Sequence, residues 1–309
     1  MAFPAMNRNW PVLAFGSLLS CISTYWLACV NSTVRTPYLD EFFHVRQALT
    51  YWSHQWHIWD PKITTPPGLY LVSYVGLYLG RLFPSVDLLQ QLRAHNVIGI
   101  LLIFLVVNQL IGASNKRADT IAIAHTALNI CLFPPLFFFS GLYYTDVISV
   151  LVVLKAHEAF QNRRPALVAF YSLLSLWFRQ TNIFWTAAYL GGSEVIRQVK
   201  ARQPSSKDEY TTPTWSNLVQ RSLSDGIVHD LTVDSATIEG MGNQNCGGKS
   251  LTIIDYIKLI ISLALATSRT LPTLIQPMSP YILTIGAFAG FVIWNGGVVL
   301  GMCNLISCL

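Results

Sequence analysis

The chain has 309 residues, 52% hydrophobic and only 11% charged, with a mean hydropathy of +0.44. A soluble domain carries about 25% charged residues, so the composition excludes an ordinary soluble enzyme and points to an integral membrane protein with several helices, each needing roughly 20 mostly apolar residues to cross. Continuous, non-alternating apolar runs speak against a β-barrel, and a net charge of +5 scattered among connections gives no expectation of nucleic acid as a partner.

Arg8 precedes an apolar run over residues 12–30, which reads as a signal anchor with the Arg8 end cytosolic and the following segment lumenal or extracellular. The tripeptide Asn31-Ser32-Thr33 is a glycosylation sequon usable only on that side. Residues 36–74 are polar, aromatic and punctuated by Pro61, Pro66 and Pro67 between two apolar spans, so this stretch is the expected floor of a site. Within it Phe42, Val45, Leu49 and Trp52 recur at helical spacing, while Glu41, His44, Arg46, Gln47 and Tyr51 fall elsewhere on the wheel. That pattern predicts an amphipathic helix in the membrane interface of the first lumenal loop, residues 31–66, with Trp52, Trp56 and Trp59 at headgroup depth.

A second span is expected over 69–83, with Arg81 and Arg93 bracketing a short cytosolic return, and a third over 97–111. Residues 121–139 are broken by Pro134-Pro135 and read as a full, kinked or re-entrant span. Apolar residues 147–154 follow, then Arg163-Arg164-Pro165, then an apolar stretch over 166–192 interrupted by Phe178-Arg179-Gln180-Thr181-Asn182. The organisation is thus a transmembrane region at 1–192, a flexible hydrophilic loop at 193–250, and membrane segments at 251–309, the first of them interfacial. Two topologies stay open. If every run spans once, Lys116-Arg117 and Arg163-Arg164 fall on the lumenal side; a hairpin at Pro134-Pro135 moves Asp146 there instead.

Six cysteines without a C-x-x-C pair indicate no disulfide or zinc framework, and no phosphate loop, metal-ligand motif or nucleophile elbow is present. No cofactor or metal is therefore expected. The adjacent acids Asp40 and Glu41 could serve as general base for a sugar hydroxyl or bind a metal, although Asp40 is also well placed as a helix N-cap and Glu41 at the positive helix end. Arg179 lies amid apolar sequence, where a helix-centre charge costs at least about 2.5 kcal/mol. It suits a lipid phosphate, or else it marks a span boundary. Thr145-Asp146 reads as a helix start or an acceptor contact, and Lys62 and His44 as phosphate or proton ligands or ordinary interfacial residues.

The blocks P-Y-L-D-E-F-F-H-V-R-Q-A at 37–48, W-D-P-K-I-T-T-P-P-G-L-Y at 59–70, L-Y-Y-T-D at 142–146, F-R-Q-T-N-I at 178–183 and N-G-G-V-V-L-G at 295–301 together resemble one family. This is the endoplasmic-reticulum α-1,2-glucosyltransferase family that adds the last glucose to the dolichol-linked oligosaccharide of N-glycosylation. The resemblance implies an all-α, multi-pass fold of the GT-C glycosyltransferase type in the lipid bilayer of the endoplasmic reticulum. It implies dolichyl phosphate glucose as donor, a diglucosylated dolichol-linked oligosaccharide as acceptor, and inversion in a single displacement. It further implies Asp40 as base with Glu41 as catalytic neighbour, and substrate binding by Arg179, Lys62, His44, Asp146 and Gln180. Family members usually follow N-G-G-x-V-x-G with an acidic-basic pair and further spans, so the chain reads as C-terminally truncated. An inactive membrane partner that binds lipid-linked substrate or protein is the first rival reading, and a small multispan transporter the second.

Overall fold

The computed structural model describes residues 10–81, 86–115, 117–201, 214–226, 228 and 253–300. Among these, all regular structure is helical: α1 (Trp10–Thr33), α2 (Glu41–Trp52), α3 (Gly68–Gly80), α4 (Leu88–Ser114), α5 (Thr120–Cys131), α6 (Pro134–Ser140), α7 (Asp146–Gln161), α8 (Pro165–Leu176), a π-helical turn (Phe184–Tyr189), α9 (Leu190–Lys200), α10 (Trp215–Ser224) and α11 (Ile253–Asn295). α1, α4 and α11 are long and apolar enough to cross a membrane, and α5 with α6 forms one further candidate bent by 70°. The protein is multi-pass. The bend falls where Pro134 and Pro135 open α6, since proline suits the first helical turn and cannot continue the turn before it.

The chain forms two compact units, residues 1–188 with 280–309, and residues 189–279. In the first, α4 is the central helix. Its residues Ile100, Ile103, Phe104 and Val107 pack with Leu19 of α1, Ala127, Leu128 and Cys131 of α5, and Val147 at the start of α7. A Cβ at Gly99 would fall 2.8 Å from the end of the Ile148 side chain, so α4 and α7 pack closely at this glycine. Asp87 and Asp119 start α4 and α5 by accepting the amide N–H groups of Leu89 and Ile121. A second core gathers Val45, Ala48 and Tyr51 of α2, Leu69, Tyr70 and Leu77 of α3, Leu92 of α4, Ile148 and Val152 of α7, and Tyr143 and Phe178.

Contacts along the helices fix their directions. Asn31 near the end of α1 meets Arg93 near the start of α4 at 3.0 Å, and Gly16 near the start of α1 lies against Phe104, so α4 runs antiparallel to α1 from the face where α1 ends. α3 therefore does not cross. Gly68 at its start bonds Trp177, Ser73 bonds Tyr143, and Gly76 and Gly80 lie against His95 and Gln91, all at that same face. With 13 residues it is about 20 Å long, short of the ~30 Å hydrocarbon core. This corrects the expected second span and the expected cytosolic Arg93, because a run of 15 apolar residues does not distinguish a crossing helix from a buried one. α5 and α6 lead back toward the face where α1 ends, where the Phe139 carbonyl accepts Asn96, and α7 runs the other way until Gln161 meets Ser114 at 3.2 Å. Arg117 and Arg163-Arg164 thus lie at the end where α1 begins, opposite residues 31–44, as a positive-inside arrangement requires.

In the second unit, Val199, Val228 and Ala266 form a small core with Val195, Leu259 and Leu263, and Arg269 donates to the Leu223 carbonyl at 3.1 Å. The stretch expected to be a flexible loop thus contains the end of α9 and all of α10; residues 202–213, 227 and 229–250 lie outside the described residues. α11 joins the two apolar runs expected at 253–266 and 281–300 into one 43-residue helix. It ends at Asn295, whose side-chain amide donates to the carbonyls of Gly297 and Val299 at 2.9 Å each, with Gly296 in the left-handed region at φ 71°.

Candidate active site

The polar side chains singled out in the sequence collect at the end of the first unit where α1 terminates. α2 packs on the core from both sides of the expected wheel. Val45, Leu49 and Trp52 of the apolar stripe join the core while Phe42 is 51% exposed; of the polar set, Glu41, His44, Gln47 and Tyr51 are buried and Arg46 is exposed. The buried polar residues are held by partners. Gln47 donates to the Ile58 carbonyl at 2.8 Å and accepts the Asp60 amide at 2.9 Å, and His44 Nδ1 lies 2.7 Å from the Tyr70 hydroxyl.

Asp40 occupies the N-cap position of α2, yet its carboxylate makes no cap hydrogen bond and the residue is exposed. The capping role weighed in the sequence is therefore not the one it performs. Leu39 before it is held at φ 50°, a conformation that costs a non-glycine residue about 1–2 kcal/mol and that clusters at functional sites. Glu41, one residue on, is fully buried. Its carboxylate accepts Arg93 Nε at 2.9 Å, Arg93 Nη2 at 2.7 Å, the Tyr38 amide at 2.9 Å and the Tyr143 amide at 2.8 Å. With four donors on two oxygens it has no acceptor left for a substrate, which corrects the catalytic role expected for Glu41.

Arg179 lies in the break between α8 and the π-helical turn and so is not a helix-centre charge. Asn182 builds the break: its amide donates to the Ser175 carbonyl at 2.9 Å and to Ser149 of α7 at 2.8 Å. The Gly68 amide donates to the Trp177 carbonyl at 2.8 Å, and a Cβ on Gly68 would fall 2.5 Å from that oxygen. The Gln180 side chain closes the same junction on the Thr64 carbonyl at 2.8 Å. Arg179 then pairs with Asp146 at 2.8 Å and donates to the Thr145 hydroxyl at 3.3 Å. Both partners stay open to solvent, at 40% and 26% side-chain exposure.

His44 joins the two halves of the site. Burial pushes its pKa below the ordinary value, against the opposing charges of Asp40, Asp146 and Glu41 and with that of Arg179. These groups thus stand close enough to act on one imidazole. Lys62 is exposed, and its ammonium lies 5.4 Å from the centre of the Phe43 ring. No group of three or more His, Cys, Asp or Glu residues that could hold a metal occurs among the described residues. Beside Gln180 an apolar cavity of about 640 Å³ is lined by Tyr51, Trp59, Pro66, Trp177, Phe291 and Trp294, among others. The indole N–H of Trp59 is buried without a partner among the described residues.

Three participants escaped the sequence reading: Arg93, Tyr70 and Asn182. Arg93 carried a signal, being a cation six residues inside a helix that is otherwise apolar from residue 97 onward. The sequon at Asn31 also changes meaning, because its side-chain oxygen accepts Arg93 Nη1 at the last turn of α1.

The chain is 38% identical over 303 residues to the Dol-P-Glc:Glc(2)Man(9)GlcNAc(2)-PP-Dol alpha-1,2-glucosyltransferase of Emericella nidulans, covering 93% of this chain and 46% of that protein. Proteins of the same name from Arabidopsis thaliana and Mus musculus are each 29% identical, covering 92% and 93% of this chain and 59% and 57% of their own lengths. The chain thus spans about half the length of the curated relatives it matches. No solved structure matches it. The family model matches residues 34–304, which include Asp40, Glu41, His44, Lys62, Arg93, Asp146, Arg179 and Gln180, and the chain accordingly belongs to the DIE2/ALG10 family.

Proposed function

We propose that this chain carries the reaction for which its relatives are named: transfer of glucose from dolichyl phosphate glucose to the diglucosylated dolichol-linked oligosaccharide, forming the terminal α-1,2 linkage. The observation that carries this reading is the exposed, uncapped carboxylate of Asp40 at the same end of the bundle as the accessible guanidinium of Arg179. A β-linked donor and an α-linked product require one in-line displacement. Asp40 takes the proton of the acceptor hydroxyl, and that oxygen bonds the anomeric carbon of glucose opposite the phosphate. The bond from the anomeric carbon to the phosphate oxygen breaks, and its electron pair leaves with dolichyl phosphate. Arg179 stabilises the phosphate charge through paired hydrogen bonds that strengthen as that charge grows.

Asp146 orients Arg179, Gln180 ties the arginine's turn to the loop at Thr64, and His44 keeps the two halves together. Lys62 offers a second cation at the rim. The apolar cavity beside Gln180 supports a substrate carried on a lipid chain. The basic residues at the opposite end support a cytosolic placement of that end, which puts the site on the lumenal side of the endoplasmic-reticulum membrane. The test is glucose transfer by the intact protein in microsomes lacking their own activity. Asp40→Asn is expected to lower the rate by about 10²–10⁴-fold; transfer at the unaltered rate would remove Asp40 as the base.

A further inference from the structure

Arg93 is the largest side chain fully buried in the described structure, and what it touches is unlike ordinary packing. Besides Glu41, it donates to Asn31 Oδ1 at 3.0 Å and to the carbonyls of Val34 at 2.8 Å and Thr36 at 3.5 Å. Its five hydrogen bonds bind the end of α1, the segment leading to Asp40, and the residue directly after Asp40. Glu41 extends the set to the Tyr143 amide, three residues before Asp146. A second tie joins the same two segments, since the Tyr144 hydroxyl donates to the Tyr38 carbonyl at 3.0 Å.

A buried ion pair is a poor device for stability alone, because apolar residues of equal volume often stabilise as well or better. This pair spends its donors and acceptors on the two short segments that carry Asp40 and Asp146. Neither charged group reaches solvent, so neither touches a substrate. From this we infer that Arg93 and Glu41 are positioning residues, which together with the Tyr144 hydroxyl set the separation between the Asp40 carboxylate and the Asp146–Arg179 pair. The inference rests on the reading of Asp40 as base and Arg179 as phosphate ligand. If base and cation are held apart by this clamp, loosening it leaves both binding groups in place but misaligns them at the moment of transfer. Turnover then falls while the Michaelis constants hold.

The experiment is steady-state glucose transfer by the intact protein in microsomes, with kcat expressed per folded molecule from the monodisperse fraction after extraction. Tyr144→Phe removes one hydroxyl and is expected to lower kcat about 3–10-fold, with both KM values within about twofold of the unaltered protein. Glu41→Gln and Arg93→Lys, which lose the two-pronged charged pair, are expected to lower kcat about 100-fold at similarly steady KM, the penalty of a displacement near 1 Å. A purely structural role would reduce the amount of folded protein and leave kcat per folded molecule unchanged, and that result overturns the inference. Should Glu41→Gln and Arg93→Lys fail to accumulate, Tyr144→Phe decides alone: unchanged kcat refutes the clamp. Asp40→Asn separates the two levels. If it is inactive while Tyr144→Phe keeps full kcat, the positioning inference fails and the base assignment stands; if it is fully active, the base assignment itself fails.

Discussion

Two of the arginine–carboxylate pairs at one end of the bundle, Arg93–Glu41 and Arg179–Asp146, differ in almost every respect except chemistry. Arg93–Glu41 is sealed at about 1% exposure, with every oxygen of the carboxylate engaged. Arg179–Asp146 is open at 40% and 26%, with one further hydrogen bond from the arginine to Thr145. A saturated, dry pair can only hold geometry, since binding a ligand would mean giving up bonds that no water replaces. An open pair can exchange its partner for a phosphate at little cost, because water and the incoming anion both compensate the guanidinium. The same residue types therefore divide into architecture and chemistry according to burial and bond count.

The sharpest way to break that contrast is to truncate one member of each pair. Arg93→Ala strands the Glu41 carboxylate in the interior and is expected to destabilise the protein by about 3–5 kcal/mol, seen as loss of the monodisperse fraction or a large fall in Tm in detergent. Arg179→Ala is expected to change stability by no more than about 1 kcal/mol while lowering glucose transfer about 10²–10³-fold, the range for removing one group that stabilises developing charge. If the two substitutions destabilised equally, the division by burial would be wrong. A finer probe is Asp146→Asn, which keeps a hydrogen-bond acceptor for Arg179 but removes the charge that a donor phosphate must displace. It is expected to leave Tm within about 1 kcal/mol equivalent of the unaltered protein and to move the donor KM more than the acceptor KM.

Much of this end of the molecule was legible in the sequence, and what was missed has a common cause. Arg179 and Gln180 stood out because they interrupt an apolar run, whereas the roles expected of Asp40, His44 and Asp146 came from the family resemblance; the structure pairs Arg179 with Asp146 and ties Gln180 to Thr64. The break at 178–182 and the bend at Pro134-Pro135 were visible because charge and proline interrupt helices locally. Arg93 was read as a boundary marker, since sequence shows a cation's distance from apolar runs and not the carboxylate folded onto it from 52 positions away. Similarly the placement of α3, the burial of His44 and Gln47 on α2 and the saturation of Glu41 depend on partners elsewhere in the chain. Hydrophobic periodicity reports which residues are apolar; it does not report whether lipid or protein covers them.

The smallest expected effect concerns His44, which sits between the two pairs and couples the contrast to pH. Burial holds its folded-state pKa below the value of about 6.5 that the unfolded chain would show. As pH falls, the unfolded chain takes up the proton first, so the unfolded state binds more protons and is favoured. The stability contributed by neutral His44 is therefore fully present above the unfolded value and is lost progressively as pH drops through and below it toward the folded value. Protonation also fixes Nδ1 as a donor toward the Tyr70 hydroxyl 2.7 Å away, whichever tautomer the neutral ring holds. His44→Asn keeps an uncharged polar group near that position and does not titrate. The unaltered protein is expected to lose Tm on going from about pH 7.5 to about pH 5, and His44→Asn to lose less over the same range. Parallel melting profiles for the two proteins would show that the imidazole is not the group linking acid to this end of the bundle.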